Sequence, residues 1–277
     1  GQTLMSAFKS NDLQTQDQGL IWLNGMLVPA DTSAIPVSDL GVQYGFGFFE
    51  TIRAENSKAK NLPRHIKRFE NTWRQLFKDP IPDLTWDIII QQVLEANKLD
   101  RQTAAVKIMA TKGNRDIAPY NHNITVIVRP YTHRLDGKSE SGLHLVTYPF
   151  SRQTPLADHK TLNYLYYYMA GQWAKECGKE EALILNPDDS VSETNTASLI
   201  CIHQKLAILP ESQAVLPGTM QETVSEILKQ WGYGVQYKKL SAEDLYSFEE
   251  VLLTNGLMGA VPVLSIDGKA LSAPSDL

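Results

Sequence analysis

A chain of 277 residues with 43% apolar content is long enough for one large or two medium domains, each with a real core. Its formal charge of -5, with the signs interspersed, argues against a nucleic-acid or membrane surface and for a small-molecule partner. Only Cys177 and Cys201 occur, without disulfide-framework or zinc-ligand spacing, and neither a membrane-length apolar run nor a signal-peptide pattern is seen, so a soluble protein of the reducing cytoplasm is expected.

Residues 1–18 are polar around Leu4, Met5, Ala7 and Phe8. They read as an N-terminal extension or linker with a helical turn or two, or as the tail of a preceding domain in a fused polypeptide. A small domain is expected over residues 19–133. It opens with two short apolar runs, residues 20–29, around Asn24-Gly25, the strongest local hairpin signal. Residues 48–53 read as a strand in which Phe49, Thr51 and Arg53 share one face and Phe48, Glu50 and Ile52 the other. After a loop at 57–60, residues 62–77 place Ile66, Phe69, Trp73 and Leu76 at helical spacing, with Arg68 beside the stripe. A second helix is expected over 84–99, with Asp83 as its N-cap. Two β-rich runs follow, 104–111 and 123–128. Within the first, Val106 and Ile108 flank Lys107, so alternation turns the lysine toward a cleft if its neighbours face the core.

Residues 134–142 are polar and aperiodic and read as an interdomain linker, leaving 143–277 as a larger domain. A strand at 143–148 and a loop at 151–159 deliver Lys160. A helix follows to about Cys177, stopped by Gly178, and its Tyr164, Tyr166, Tyr167, Tyr168 and Trp173 read mainly as core. Residues 182–186 and 191–192 form a hairpin whose turn carries the solvated Asp188 and Asp189. It ends in the polar turn Glu193-Thr194-Asn195-Thr196-Ala197-Ser198. Leu216-Pro217-Gly218 leads into a helix that begins at Thr219 and Met220 and runs through Leu228 and Trp231. Its free N–H groups and positive dipole suit a phosphate. Residues 249–253 form a buried strand, and the loop at 255–259 is expected to close the site. The chain stops at Leu277, short of a terminal helix.

One lysine at a rigid junction, and one carboxylate beside a run of small and hydroxyl side chains, suit pyridoxal phosphate. Lys160 would form a Schiff base, Glu193 would hold the pyridine nitrogen protonated, and backbone N–H groups would take the phosphate. The chain also carries Tyr44-Gly45-Phe46-Gly47-Phe48-Phe49-Glu50-Thr51-Ile52-Arg53, His65-Ile66-Lys67-Arg68-Phe69, Leu216-Pro217-Gly218-Thr219 and Thr254-Asn255-Gly256-Leu257-Met258-Gly259-Ala260-Val261-Pro262-Val263. In that order these motifs resemble class IV (fold type IV) pyridoxal-phosphate enzymes: branched-chain and D-amino-acid aminotransferases and aminodeoxychorismate lyases. The resemblance runs from about Leu20 to about Val263.

The resemblance implies an α/β (α+β) fold of two domains, a small α/β domain and a larger one round a β-barrel-like sheet, with pyridoxal 5′-phosphate between them. It implies Lys160 as the catalytic lysine and Arg68 as the guanidinium on the cofactor phosphate. Tyr164 would serve the cofactor's ring oxygen, and Glu193, Thr196, Ala197, Thr219 and Met220 would complete the cofactor site. Phe49, Thr51, Lys107, Leu257 and Met258 would face substrate. Two positions depart from the family: Phe46 stands where aspartate is common, and Met220-Gln221 where threonine-arginine is usual. Asn255-Gly256-Leu257-Met258, Lys107 and Lys160-Thr161-Leu162-Asn163 make the resemblance greatest to aminodeoxychorismate lyase, which converts 4-amino-4-deoxychorismate to 4-aminobenzoate and pyruvate in folate biosynthesis. An aminotransferase using 2-oxoglutarate is the alternative. The family also implies a homodimer, and fusion to an upstream folate-pathway domain is a further expectation.

Overall fold

Alternating apolar residues in the first half of the chain build a six-stranded antiparallel sheet. The computed structural model describes residues 19–152, 154–212, 216 and 218–271, so the expected helical turn near Leu4 and the chain's last residues lie outside the described part. In spatial order the strands are β2 (Met26–Pro29), β1 (Leu20–Leu23), β6 (Asn123–Pro130), β5 (Thr103–Thr111), β3 (Gly47–Glu55) and β4 (Lys58–Ala59). The β1–β2 turn has Asn24 and Gly25 at φ 49 and 98, the left-handed geometry that an Asn-Gly hairpin uses. Residues 57–60 are part of a second tight hairpin, with Asn56 and Ser57 at positive φ and β4 paired to the end of β3.

One face of this sheet is dry. Phe48, Ile52 and Ala54 of β3 pack with Val106 and Ile108 of β5 against α2 (Leu62–Thr72) and α3 (Trp86–Ala96). Helix α2 runs on into a π-helical turn, Trp73–Phe77, and Phe48 lies among the rings of Phe69, Trp73 and Phe77 at 4.8, 6.0 and 4.9 Å. Phe46 is absorbed here too, edge-on to Phe77 at 5.5 Å. Helix α3 begins at Trp86, with Thr85 rather than Asp83 before it. Pro80 and Pro82 bias the residues preceding them toward extended backbone, and the buried stripe Ile89, Ile90, Val93 and Leu94 has its first member at Trp86.

The second sheet has nine strands: β12 (Gly234–Lys238), β11 (Leu206–Pro210), β10 (Ser198–His203), β13 (Glu250–Asn255), β14 (Gly259–Ile266), β7 (Leu143–Thr147), β8 (Glu181–Leu185) and β9 (Val191–Thr194), with β15 (Lys269–Ala270) on β14. Strand β9 folds back beside β10, where the Thr194 amide donates to the Ala197 carbonyl at 2.9 Å, so the sheet curls toward a half-barrel around Leu143, Leu145, Leu199, Leu253 and Val263. Two parallel pairs are crossed by helices, β7 and β8 by α4 (Leu165–Glu176) and β11 and β12 by α5 (Thr219–Gln230). Helix α4 ends at Gly178, φ +70, yet it buries little: Ala170 and Ala174 are its buried residues, whereas Tyr168 is 60% exposed rather than core. Among the described residues no helix is long and apolar enough to cross a membrane. Between the sheets, residues 131–142 form turns tied down by His133 Nε2 to the Met258 carbonyl (3.0 Å), by Arg134 to Glu181 and by Lys138 to Glu180.

Candidate active site

The two sheets meet at the segment carrying Lys160. The first half of β3 pairs with β5 on one side, and its other edge takes residues 160–162. The Phe49 amide donates to the Lys160 carbonyl (2.9 Å), the Leu162 amide to the Gly47 carbonyl (3.0 Å), and Thr161 bridges Phe48. Asn163 Nδ2 adds a bond to the Gly45 carbonyl, 2.9 Å. A Cβ on Gly47 would stand 2.4 Å from the Ala110 carbonyl oxygen and 2.7 Å from Leu162, so the close approach requires glycine.

Lys160 reaches into a cavity of about 260 Å³ between the sheets. Its Nζ lies 4.7 Å from the Phe49 ring centroid and 5.8 Å from that of Tyr164. Burial, reinforced by Arg68, lowers the amine from the ordinary lysine value to about 8, against the opposing pull of Glu50 and Glu193. A buried lysine shifted toward neutrality is a nucleophile and base near physiological pH.

Glu193 lies on β9 rather than in a turn, and it is 7% exposed. Burial pushes its carboxyl up to about 8, although the Tyr167 hydroxyl (3.3 Å from Oε2), Arg152 and Lys160 favour the charged form, as does the Leu216 amide. Arg152 sits over the Tyr167 and Tyr166 rings at 4.5 and 5.1 Å, and its Nη1 is buried with no hydrogen-bond partner among the described residues. The Tyr164 hydroxyl donates to the Asn195 carbonyl at 3.0 Å, and burial followed by Glu193 holds its proton firmly.

At another wall of the cavity Arg68 clamps Glu50, Nε to Oε1 and Nη2 to Oε2 both at 2.7 Å, with His65 Nδ1 3.4 Å from the same carboxylate. Burial opposes the charge on Glu50, but Arg68 and His65 outweigh it and keep the carboxyl below its usual range. Gly218 is the N-cap of α5, so no side chain caps the first turn, and Thr219 behind it is buried. The turn after β13 supplies Asn255, Gly256 and Leu257, with Asn255 Oδ1 accepting from the amides of Leu257 (3.1 Å) and Met258 (2.9 Å). A Cβ on Gly256 would come within 3.0 Å of His65 and 3.1 Å of the Thr51 carbonyl oxygen.

Of the residues singled out in the sequence, the cavity wall includes Phe49, Thr51, Arg68, Lys160, Tyr164, Glu193, Thr196, Ala197, Thr219 and Leu257. It does not include Met220, Lys107 or Met258. Met258 is 4% exposed within the curled sheet's core, because the Asn255 turn rolls it inward. Lys107 stands behind the wall, with Nζ 4.7 Å from the Phe49 ring, and burial followed by Arg129 lowers its pKa. The turn after Glu193 is not an anion nest: the amides of Thr196 and Ala197 both point to Thr194 Oγ1 (3.4 and 3.0 Å), and the Thr196 hydroxyl is held by Glu181. Sequence reading missed Glu50, His65, Arg129, Arg152, His159, Tyr167, Asn255 and Gly256. His65 and Tyr167 each lie three residues from a residue that was chosen and share its helix face. Arg129 becomes visible only through register, where Arg53, Ala105 and Arg129 form one row across β3, β5 and β6.

A lysine and an acid buried in one cavity, with an arginine and an uncapped helix start beside them, agree with the family comparison. The model for amino-transferase class IV matches residues 47–266. The chain belongs to that family. A putative branched-chain-amino-acid aminotransferase of Methanocaldococcus jannaschii is 29% identical over 91% of this chain and 89% of its own length. The aminodeoxychorismate lyase of Vibrio harveyi is 26% identical over 89% and 91%. Among solved structures, a bacterial branched-chain amino acid aminotransferase with pyridoxamine 5′-phosphate shares 26% identity and superposes with a TM-score of 0.81, covering 91% of this chain and 87% of that one. The class IV aminotransferase, an enzyme of mixed α/β fold, thus spans both sheets and the cavity between them.

Proposed function

We propose that this class IV enzyme binds pyridoxal 5′-phosphate and acts as an aminodeoxychorismate lyase, releasing 4-aminobenzoate and pyruvate from 4-amino-4-deoxychorismate. The residues fit the cofactor. Lys160 is a partly neutral amine, Glu193 a protonated acid for a ring nitrogen, and Arg68 and the start of α5 suit a phosphate. Gly218 and Gly256 leave room that a Cβ would fill, with Ser198 Oγ only 2.6 Å from such an atom at Gly218. When bound, the cofactor supplies an aldehyde that captures a substrate amine and a ring that spreads negative charge.

The rest is the chain's own work. Lys160 Nζ takes the proton from the carbon bearing the substrate amine. Glu193, steadied by Tyr167, holds a proton at its carboxyl toward the ring nitrogen. Phe49 and Tyr164, edge to face at 5.3 Å, wall the amine in and exclude water. Lys107 and Arg129 present positive charge for the carboxylates of a diacid.

The observation that carries the lyase over the transaminase is the turn at Asn255. It turns an apolar Leu257 to the cavity, where transaminases of this family tend to use small and hydroxyl residues. Similarity to the branched-chain enzymes favours the second reading, an aminotransferase with 2-oxoglutarate as acceptor. The deciding experiment mixes cofactor-loaded protein with 4-amino-4-deoxychorismate, without a keto acid, and follows 4-aminobenzoate fluorescence alongside pyruvate. Equimolar catalytic release of both supports the lyase. No release, with the cofactor's absorbance bleached by amino acids, refutes it in favour of the aminotransferase.

A homodimer belongs to the same proposal. The exposed Val42, Tyr44, Leu165, Tyr168 and Met169 flank the Asn163–Gly45 contact and would be covered by a second copy. A sedimentation mass equal to one chain would refute it. Fusion to an upstream folate-pathway domain is likewise proposed, and an upstream reading frame without one would exclude it.

A further inference from the structure

We propose that His159 is a positioning residue: hydrogen-bonded to Thr72 of α2, it pins the chain just ahead of Lys160 and so sets where the lysine amine stands in the cavity. The inference rests on the reading of Lys160 as the reactive amine.

From Lys160 onward the segment is fixed by main-chain bonds to Gly47 and Phe49. Ahead of it, the loop's own turn bonds, Ala157 to Thr154 and His159 to Leu156, hold the loop to itself and not to the first sheet's side of the cavity. The side chain of His159 makes that tie. It is 6% exposed, lines the same cavity as Lys160, and places Nδ1 2.9 Å from Thr72 Oγ1. Asp158 is the charged neighbour of its other nitrogen, at 3.7 Å.

Thr72 is suited to serve as a fixed point. It is buried, it ends the regular part of α2, and the π turn after it is anchored in the core by Trp73 and Phe77. A threonine hydroxyl inside a helix commonly returns to the carbonyl four residues back, whereas here it meets an imidazole. Four residues earlier on the same face stands Arg68, about 6 Å away along the axis at 1.5 Å per residue. One rigid helix therefore fixes both the arginine assigned to the phosphate and the peg that locates the lysine. Loss of the peg would shift the amine relative to Arg68 on α2, Glu50 on β3, Glu193 on β9 and Lys107 on β5, the charged groups that act on it.

The test is a titration of Lys160 in the full chain freed of cofactor, by pulse acetylation and peptide mass spectrometry across pH. The wild type should label with a midpoint of about 8. Thr72→Val, which keeps the shape and removes the hydroxyl, and His159→Leu should each move the midpoint by at least about half a pH unit, since the amine's burial and charged neighbours both change. Thr72→Ser should restore it. The double variant should match either single one, as expected for two halves of one contact. In the cofactor-loaded enzyme the same variants should lower kcat and leave KM nearly unchanged. A wild-type midpoint in Thr72→Val, or additive shifts in the double variant, overturns the proposal. Labelling of wild-type Lys160 like a solvent lysine overturns instead the reading of Lys160 on which it rests, and the two failures are thereby separate. If His159→Leu does not fold, the Thr72→Val and Thr72→Ser pair decides alone.

Discussion

Replacing Lys160 with methionine should make the cofactor-free protein more stable. A lysine held at about 8 instead of 10.5 carries a folding penalty while it is protonated. At about 1.4 kcal/mol per pH unit the gap amounts to roughly 3 kcal/mol. The sign follows from proton binding. Between pH 8 and 10.5 the unfolded chain holds more protons at this residue than the folded one, so stability rises with pH through that window and the penalty is full below it. Methionine matches the length of the stem and adds no charge to desolvate. Urea unfolding of both proteins at pH 7 and pH 10 measures the effect: Lys160→Met should gain about 2–3 kcal/mol at pH 7 and well under half of that at pH 10. A variant less stable than wild type at pH 7, or a gain that does not change with pH, would refute the argument that desolvation sets the lysine's state.

Other substitutions separate the roles in the cavity. Glu193→Ala should retain the lysine–cofactor absorbance but lose about 100-fold or more in kcat, within the range of a missing acid or base; an unchanged rate would mean that another group protonates the ring. Arg129→Gln, read in steady-state kinetics, should raise KM for a diacid substrate by roughly tenfold, the worth of one charge-assisted contact, and an unaltered KM would remove Arg129 from substrate recognition. Gly256→Ala places a methyl 3.0 Å from His65 and should weaken cofactor binding measured by equilibrium dialysis, at an overpacking cost of about 1–3 kcal/mol; an unchanged dissociation constant would show that the turn yields freely.

Local chemistry explains what could be read from the chain. Asn24-Gly25 announced its hairpin, alternation in residues 48–53 separated the dry face from the cavity face, and Gly178 marked the end of α4, because each rests on contacts a few residues apart. Lys160 and Glu193 were legible as a pair of unlike groups at element ends. What escaped depends on register and on turns closed by side chains. Met258 looked available to substrate until Asn255 was seen rolling it into the core. The amides at Thr196 and Ala197 looked free for an anion, yet the preceding threonine's hydroxyl takes both. Arg129 could not be placed without knowing that β6 pairs with β5 so that Ala105 lies between it and Arg53.

Phe49 serves the site twice through different atoms. Its amide holds the Lys160 carbonyl, while its ring forms the wall that the amine faces. The first role belongs to the backbone and is the same for every residue except proline; the second depends wholly on the side chain. The architecture thereby separates inheritance of the reaction from choice of the reactant. Drift at this position can reshape what enters the cavity while the amine keeps its place, which gives one scaffold a way to give rise to lyases and transaminases without reinventing its lysine.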